Sequence, residues 1–272
     1  LELVSQLSHR GLDFRFKGGN SLLVLLEDPH RFSIDVDIVT TATKDELAEL
    51  VERIATGCPL FTRWEKRAPR TKPWLPMISF KLFFESHYQS AEESYVMLDC
   101  VLRPPPYDGV RRRVRCGDIY EAGHQVEVPS VSGLIGDKLL TIGPSTLGIP
   151  LGKGKEAHRL KHVFDVSLLS RQGYDLEAVR RSLVGCMEQE NDIQGSTWGQ
   201  PEVLEDTLRF CHAPLEHETP PDPDSLDPDT YLYEIAKGFE GFRQHIYRLD
   251  YTWDTLRDDF RRVTDLVGSL AE

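Results

Sequence analysis

The spacing of apolar residues follows two different patterns along the chain, and the pattern changes near residue 128. Before it, short apolar runs typical of strands alternate with apolar positions at helical spacing. The strand patterns cover residues 14–16, 31–39, 60–65, 77–84, 95–102 and, more weakly, 125–128. The helical patterns cover residues 1–10, 20–27 and 43–57, the last opening with Thr43 and Glu46 at the spacing of a capping box. This part of the chain is predicted to be a mixed α/β unit.

After residue 128, apolar residues recur every three or four positions over long segments, as in helices that bury one face. These segments cover residues 130–140, 156–170, 175–188, 202–211, 229–249 and 252–271. The sequence therefore predicts the α+β class, with a mixed sheet and flanking helices in residues 1–128 and an α-helical domain in residues 129–272.

The composition indicates a globular protein. The chain has 272 residues, of which 40% are hydrophobic, and this is enough to build a core. No run approaches the roughly 20 apolar residues that a membrane-spanning helix needs. The first residues also lack the basic and apolar regions of a signal peptide. We therefore expect a cytoplasmic protein that contacts no membrane.

The cysteines are expected to be inert core residues. Their number, five, is odd, their spacing is wide, and no two of them form a C-x-x-C pair. These features argue against both a disulfide framework and a structural zinc site.

The acidic net charge is confined to the end of the chain. The whole chain has a formal charge of −12, and residues 181–272 alone contain 8 Lys and Arg against 20 Asp and Glu. Residues 1–180 contain 24 of each kind. The overall charge therefore leaves room for a basic face on the first part of the chain.

Two aspartates interrupt an apolar strand pattern in RFSIDVD, residues 31–37. Side chains two positions apart in a strand share a face, so Asp35 and Asp37 are expected to project together, about 6.6 Å apart along the chain. Paired carboxylates suit a divalent metal ion. Solvated acids at a sheet edge give the same pattern, so this pair alone does not decide between the two interpretations.

A glycine pair precedes the acids in KGGNSL, residues 17–22. Gly18 and Gly19 allow close approach of the backbone, and Asn20 or Ser21 would open the next helix, whose amide groups can hold phosphate oxygens. The alternative is a plain Gly-Gly turn with Asn20 as the helix N-cap.

The order of glycine turn, helix and D-x-D resembles the nucleotidyltransferase superfamily of the DNA polymerase β type. Within it, KGGNSL and RFSIDVD are most similar to the AbiEii-like toxins of type IV toxin–antitoxin systems, which include the mycobacterial MenT toxins. The resemblance implies a nucleotidyltransferase core in residues 1–128. It also implies that Gly18, Gly19, Asn20 and Ser21 bind the nucleotide, and that Asp35 and Asp37 hold metal.

The resemblance further implies a third metal-binding acid, and Asp99 in the apolar run YVMLDCV fits that position. The alternative is an aspartate bonded to a nearby arginine such as Arg103, because an unpaired buried acid would be costly. The three acids together would hold Mg²⁺ or Mn²⁺.

The family's later motif is matched by GDKLLTI and HRLKHVFDVSLL in the helical part. The resemblance makes Lys138 a ligand of the nucleotide phosphates and Lys161 a nucleotide-binding residue. It makes Asp165 a residue that orients the nucleotide or Lys161. The alternatives are a solvated helix lysine at 138 and, for Lys161 and Asp165 at i,i+4, an ordinary exposed ion pair.

By resemblance, the lead hypothesis is a toxin that transfers NMP from an NTP to an RNA 3′ end, the tRNA acceptor end, and thereby stops translation. An antitoxin partner is implied too. Ser33 shares a strand face with Asp35 and is implied as a site of regulatory phosphorylation, since a phosphate there would repel metal and NTP. A hydroxyl that assists the incoming phosphates is the alternative for Ser33.

Basic clusters at residues 63–72, 111–115 and 153–161 would suit an RNA backbone, with Trp64 or Trp74 available for stacking. Two other functions stay open. One is a small-molecule nucleotidyltransferase of the aminoglycoside-modifying type, with the acidic last third binding a cationic acceptor. The other is a nucleotide-binding interaction module without catalysis.

Overall fold

The structure is a computed structural model that describes residues 1–26, 30–67, 75–86 and 94–272. The described chain divides into two compact units. The first, Leu1–Pro105 with Gly109–Pro129, contains the strands, and the second, Pro106–Asp108 with Ser130–Glu272, is helical. The predicted α+β class is confirmed. The division lies one residue beyond the predicted boundary and assigns the short segment Pro106–Asp108 to the helical unit.

Within the described ranges, seven strands form one mixed sheet in the order β3-β4-β5-β2-β1-β7-β6. The pairs β1–β7 and β2–β5 are parallel, and the other four neighbouring pairs are antiparallel. The strands are β1 (Arg15–Lys17), β2 (Val36–Val39), β3 (Arg63–Lys66), β4 (Met77–Phe84), β5 (Ser94–Val101), β6 (Gly109–Cys116) and β7 (Tyr120–Pro129).

One face of this sheet carries the core of the first unit. Side chains alternate between faces along a strand, and the strand residues in the buried apolar cluster are all even-numbered. Three helices of the unit add residues to the same cluster: α1 (Glu2–His9), α2 (Gly18–Leu25) and α3 (Lys44–Gly57). The odd-numbered side chains therefore project from the opposite face. The core residues of the strands are Phe16, Val36, Ile38, Ile78, Phe80, Leu82, Leu98, Cys100, Val114, Val126 and Val128.

Helix α3 begins and ends where the sequence predicts. Thr43 accepts a hydrogen bond from the Glu46 amide, and the Glu46 carboxylate accepts one from the Thr43 amide, which is the predicted capping box. These bonds satisfy two amides that the helix leaves without partners. They also lower the pKa of Glu46, with the backbone bond from Thr43 as the largest cause.

Several elements differ from the prediction, among them one whole strand and the first residues of another strand and of a helix. Strand β6 was not predicted, because its arginines hide the alternation of Val110, Val114 and Cys116. Strand β2 begins at Val36 rather than at residue 31, and Arg31 forms only an isolated bridge. Helix α2 begins at Gly18 rather than at residue 20, which extends the helix back to the glycine pair.

The second unit consists of packed helices. Helix α4 packs against α5 and α6, α5 against α8 and α9, and α7 against α9. An aromatic cluster of Phe164, Phe239, Phe242 and Tyr251 lies between α5 and α8. The helices are α4 (Val131–Leu139), α5 (Glu156–Ser170), α6 (Leu176–Gln194), α7 (Gln200–His212), α8 (Tyr231–Arg243) and α9 (Trp253–Ala271). The helical pattern of residues 229–249 thus ends at Arg243, six residues early.

The environment of the cysteines and the apolar content of the helices both bear on the sequence-based predictions in the described residues. All five cysteines lie in the described ranges, where they are buried and free. Burial raises the pKa of the Cys100 and Cys211 thiols well above its ordinary value. The prediction that the cysteines are core residues is confirmed. Among the described residues, no helix combines the length and apolar content that crossing a membrane requires.

Candidate active site

Helix α2 begins directly at the end of β1, at the glycine pair. Lys17 is the N-cap residue in an extended conformation, and Gly18 has φ +72°. In the described part of the chain no side chain caps this helix. The first amides of a helix have no partner within it, and the positive end of the helix dipole lies there too. This N-terminus therefore suits an anion such as a phosphate.

Neighbouring side chains leave no room for a Cβ atom at either glycine. A Cβ atom at Gly18 would lie 2.0 Å from Asp37 Oδ2, and φ is in the left-handed region that L side chains rarely adopt. A Cβ atom at Gly19 would lie 2.9 Å from the nearest guanidinium nitrogen of Arg31, whose side chain is buried. The glycine turn thus contacts an acid on one side and a buried cation on the other.

Asp37 and Asp99 form a pair on the sheet face opposite the core. They are partners in the parallel register of β2 and β5 and therefore point to the same face. In the same row, Lys17 is the partner of Asp37 on β1, and Ser79 is the partner of Asp99 on β4. The Ser79 hydroxyl donates a hydrogen bond to Asp99 Oδ1. Behind this row, the two carboxylates add to the burial that raises the pKa of the Cys100 thiol.

Asp35 lies just before β2 and is exposed. The buried Asn20 side chain holds this segment, because its Nδ2 donates to the Asp35 carbonyl at 2.7 Å and its Oδ1 accepts from the Ser33 amide at 3.2 Å. The Ser21 hydroxyl is fully buried and donates to the Gly18 carbonyl at 2.8 Å. Asn20 and Ser21 therefore position the turn and the acid segment through their side chains.

The donor set fits a magnesium ion that is shared with a substrate. Among the described residues, no three Asp, Glu, His or Cys side chains are grouped closely enough to hold a metal ion by themselves. Mg²⁺ is commonly bound by one or two carboxylates plus substrate phosphates and water rather than by a cage of protein ligands. Asp37 and Asp99 supply such a pair of hard oxygen ligands next to the glycine turn.

In the helical unit, Lys138 and Asp165 form a buried ion pair. Lys138 Nζ lies 2.7 Å from Asp165 Oδ2, and the side chains are 3% and 0% exposed. The pair joins α4 to α5. Two alternatives considered above are therefore wrong: Lys138 is not a solvated lysine, and Asp165 does not belong to an exposed ion pair with Lys161.

A second buried ion pair lies in the same unit. Arg159 on α5 contacts Glu234 on α8 at 2.5 Å and also donates to the Ile149 carbonyl. Arg159 is fully buried, whereas Lys161 is half-buried. The basic motif on α5 thus contains one structural arginine, and the role of Lys161 in nucleotide binding stays a prediction.

The predicted basic clusters lie on different elements. The described part of the first comprises β3 and Arg67, while residues 68–72 and Trp74 lie outside the described residues. The second forms β6, and the third lies in the loop before α5 and in its first turns.

Sequence reasoning missed three residues next to the predicted site. Ser79 is a polar residue on the odd-numbered side of the apolar strand MISFKLFF, Lys17 directly precedes the glycines, and Arg31 opens the RFS motif. The alternation of Ser79 and Lys81 with the apolar residues of β4 was a readable signal for Ser79. The positions of Lys17 and Arg31 depend on strand register and on a tertiary contact, which the sequence does not reveal.

Known proteins similar to the chain include nucleotidyltransferases. Residues 3–259 match the family described as "Nucleotidyl transferase AbiEii toxin, Type IV TA system". Among solved structures, MenT4, a nucleotidyltransferase toxin from Mycobacterium tuberculosis H37Rv, is similar with 17% identity and a TM-score of 0.57, over 99% of this chain and 90% of that chain. At this identity the likeness concerns the fold alone.

A second solved structure, an antigenic nucleotidyltransferase-like protein from Paracoccidioides brasiliensis, is 16% identical. The similarity covers 71% of this chain and 89% of that chain, and its TM-score of 0.42 is too low to carry an argument. No curated protein matches the chain.

Proposed function

Because the chain belongs to the AbiEii family of nucleotidyltransferase toxins from type IV toxin–antitoxin systems, we propose that it transfers NMP from an NTP to the 3′ end of an RNA. The tRNA acceptor end is the proposed target, and its modification would block translation. The predicted membership of this family is confirmed, and with it a nucleotidyltransferase. The family implies an NTP substrate and an antitoxin partner.

The observation that carries the proposal is the contact between the glycine turn and the acid pair. Gly18 lies against Asp37, and Asp37 lies beside Asp99. A helix begins at the same point, and no side chain of the described residues caps its N-terminus. Phosphate-binding amides and metal-binding carboxylates are the two components that nucleotidyl transfer requires.

In the proposed reaction, the RNA 3′-hydroxyl attacks the α-phosphate of the NTP in line, and pyrophosphate leaves. A bound Mg²⁺ or Mn²⁺ would activate the hydroxyl and neutralise charge on the phosphates. Asp37 and Asp99 would hold this ion together with the substrate phosphates, and Asp35, exposed just before β2, is proposed to join them as the third acid when the substrate binds. The glycine turn would position the phosphates, and Asn20 would keep Asp35 in place. Positioning and electrostatics supply the catalysis.

The nucleotide-binding roles predicted for residues of the helical unit are kept as proposals. Lys138 would bind the phosphates, Asp165 would orient Lys138, and Lys161 would contact the nucleotide. The ion pair between Lys138 Nζ and Asp165 Oδ2, at 2.7 Å, supports the proposed role of Asp165 in orienting the lysine. This assignment keeps the predicted domain roles, residues 1–128 for the acids and residues 129–272 for the lysines.

Ser33 is proposed as the point of control. Its Cβ atom would lie only 3.2 Å from a Cβ atom at Gly19, so the half-buried Ser33 is next to the phosphate-binding turn. A phosphate on Ser33 would bring nearly two negative charges to the place where the NTP phosphates bind. An antitoxin kinase that phosphorylates Ser33 would therefore inhibit transfer.

The test is incubation of the protein with each α-³²P-labelled NTP and Mg²⁺, against total tRNA and, separately, a panel of aminoglycosides. We expect label in tRNA from one preferred NTP. The Asp37→Asn variant should lose at least about 100-fold in rate, as expected for removal of one electrostatic group at the reacting centre. Asp13→Asn, an exposed aspartate of the same unit, is the matched control and should keep full activity.

Three outcomes would overturn the proposal. Label in aminoglycosides alone would make the chain a small-molecule nucleotidyltransferase. Label in neither acceptor would exclude transfer to tRNA. Full activity of a folded Asp37→Asn protein would show that the acid pair is not the reacting centre.

A further inference from the structure

Strand β6 presents a row of arginines at one edge of the sheet. The strand is the last in the sheet order, and Arg111, Arg113 and Arg115 are exposed. Because they alternate with Val110, Arg112 and Val114, the three arginines share one face, and we call them the basic stripe. Their Cα atoms recur every two residues, about 6.6 Å apart along the strand, and the pairing of β6 with β7 shifts register between Arg113 and Arg115.

The basic stripe lies on the same sheet face as the acid pair. Arg111 pairs with Glu127 on β7, and Glu127 pairs in turn with Arg15 on β1. Arg15 pairs with Val39 on β2, so these four residues form one row across the sheet. Val39 is two residues after Asp37 and so points to the same face. Buried Val114 is on the other side of β6, with the core. The stripe and the acids therefore face the same side of the first unit.

The distance between the stripe and the acids can be gauged from the sheet order. β6 is three strands from β2, and strands lie about 4.8 Å apart, so the separation across the sheet is about 14 Å. Along the strand direction, Arg111 lies level with Val39, which is two residues from Asp37. Arg113 lies two residues further, four residues from the level of Asp37. A ligand that contacts both regions must extend over several nucleotide lengths.

The acidic side chains near the basic stripe form only weak, exposed ion pairs with it, so the arginines can still bind another anion. Arg113 lies 3.9 Å from Glu121 and Arg115 lies 3.9 Å from Asp118, and all four side chains are more than half exposed. Such exposed pairs are worth little and are easily replaced by a stronger anion. Glu127, opposite Arg111, already binds Arg15 at 2.9 Å.

We infer that the basic stripe binds the phosphate backbone of the acceptor RNA a few nucleotides before the 3′ end that reacts at Asp37 and Asp99. This inference rests on the proposed function. Arginine binds phosphate through two parallel hydrogen bonds, and a line of arginines on one sheet face suits a polyanion. RNA is favoured over an acidic protein because the stripe shares its face with the acids, where the end of the RNA must lie.

The test uses fluorescence anisotropy of fluorescein-labelled tRNA at a series of KCl concentrations. The variant is Arg111→Gln/Arg113→Gln/Arg115→Gln. Each lost phosphate contact lowers the slope of log affinity against log salt by about 0.7–0.9, so the magnitude of the slope should fall by about 2–3. Affinity at low salt should fall at least about tenfold. The affinity for the Mg²⁺–NTP complex should not change.

The matched control is Arg181→Gln/Arg209→Gln/Arg261→Gln, three exposed arginines of the helical unit. It removes the same net charge, and its salt slope should stay within about 0.5 of the wild-type slope. Equal losses in both triple variants would overturn the inference, because the effect would then be one of overall charge. Unchanged tRNA binding by the stripe variant would overturn it as well.

Failure of the inference can be told from failure of the proposed function. If the wild-type protein labels tRNA and the stripe variant binds tRNA normally, the inference alone is wrong. If the wild-type protein neither binds nor labels tRNA, the proposed function is wrong. A stripe variant that loses only binding to an acidic antitoxin would assign the stripe to a protein partner and overturn the inference.

Discussion

At the scale of single residues, Gly18 connects the two chemical components of the site. Its left-handed backbone turns the chain from β1 into α2, and the missing side chain makes room for the Asp37 carboxylate. A methyl group there would have to displace that carboxylate, which also lies beside Asp99. One position thus controls both the phosphate-binding turn and the metal-binding pair.

We expect Gly18→Ala to lose at least about tenfold in transfer rate because its Cβ atom displaces Asp37. The same change should cost about 1–2 kcal/mol of stability from the backbone conformation. Gly11→Ala is the matched control, since Gly11 has φ +78° but no described atom lies within 4 Å of its Cβ position. It should lose similar stability and no activity. Equal activity of both variants in the labelling assay would contradict the account.

The buried pair of Lys138 and Asp165 allows structural and chemical roles to be separated. Lys138→Met should lower the free energy of unfolding by about 3–5 kcal/mol, because it leaves the buried Asp165 carboxylate without this cation. Lys138→Met/Asp165→Val should recover most of that loss, since replacing both partners of a buried pair by apolar residues is often neutral. Urea unfolding measures both effects.

Transfer activity of the same variants tests the chemical role of Lys138. If Lys138 binds phosphate, the double variant should be stable but inactive. A double variant that transfers at the wild-type rate would reduce the pair to a structural contact. Wild-type stability of the single variant would instead show that the ion pair does not hold α4 and α5 together.

At the scale of elements, close packing of α4 on α6 depends on a glycine. A Cβ atom at Gly136 would lie 2.6 Å from Ser182 Oγ and 2.7 Å from the Leu183 backbone nitrogen. We expect Gly136→Ala to cost about 1–3 kcal/mol through overpacking. Gly268→Ala in α9, where the Cβ atom would meet no described atom within 4 Å, should instead add about 0.5–1 kcal/mol from helix propensity. The melting temperatures of both variants are compared with that of the wild type. A shift of both in the same direction would refute the proposed dependence of α4–α6 packing on Gly136.

The comparison of sequence and structure is also clearest at the scale of elements. Helix α3 was predicted within a residue, because its capping box and apolar spacing are local signals. Strand β6 was missed, because it is an edge strand whose four exposed arginines outnumber its two valines. Strand order and register depend on pairing between distant segments, and no local pattern in the sequence contains them.

The candidate site shows the same limit. The motif around Asp35 and Asp37 was visible because two acids interrupt an apolar strand. The partnership of Asp37 with Asp99, by contrast, is a property of the β2–β5 register. Likewise, the burial of Lys138 could not be predicted from its helix, since a neighbouring helix supplies the partner that makes burial possible.

At the scale of the whole molecule, stability should depend on pH through Asp259. This buried carboxyl accepts hydrogen bonds from Ser167 at 2.5 Å and Tyr251 at 2.8 Å, and Arg171 lies 3.0 Å away. Burial raises its pKa and outweighs the lowering by these three partners. The folded state therefore binds a proton that the unfolded state releases, and stability falls as pH rises from the unfolded value of 3.8 through the raised pKa.

The Asp259→Asn variant isolates this effect. The difference in free energy of unfolding between wild type and variant should favour the wild type most at low pH and shrink as pH rises, then level off above the raised pKa. Urea unfolding at pH 4 to 8 measures this difference. A difference that grows with pH would mean that the partners outweigh burial.

Asp37 and Asp99 are proposed to act as one metal-binding unit in nucleotidyl transfer to RNA. The most direct test is a double-mutant cycle of Asp37→Asn, Asp99→Asn and the double variant, read as the rate of label transfer from α-³²P-NTP to tRNA. We expect each single change to cost at least about 100-fold, and the double variant to lose little more than either single variant. Losses that multiply, or a folded single variant near the wild-type rate, would contradict the claim.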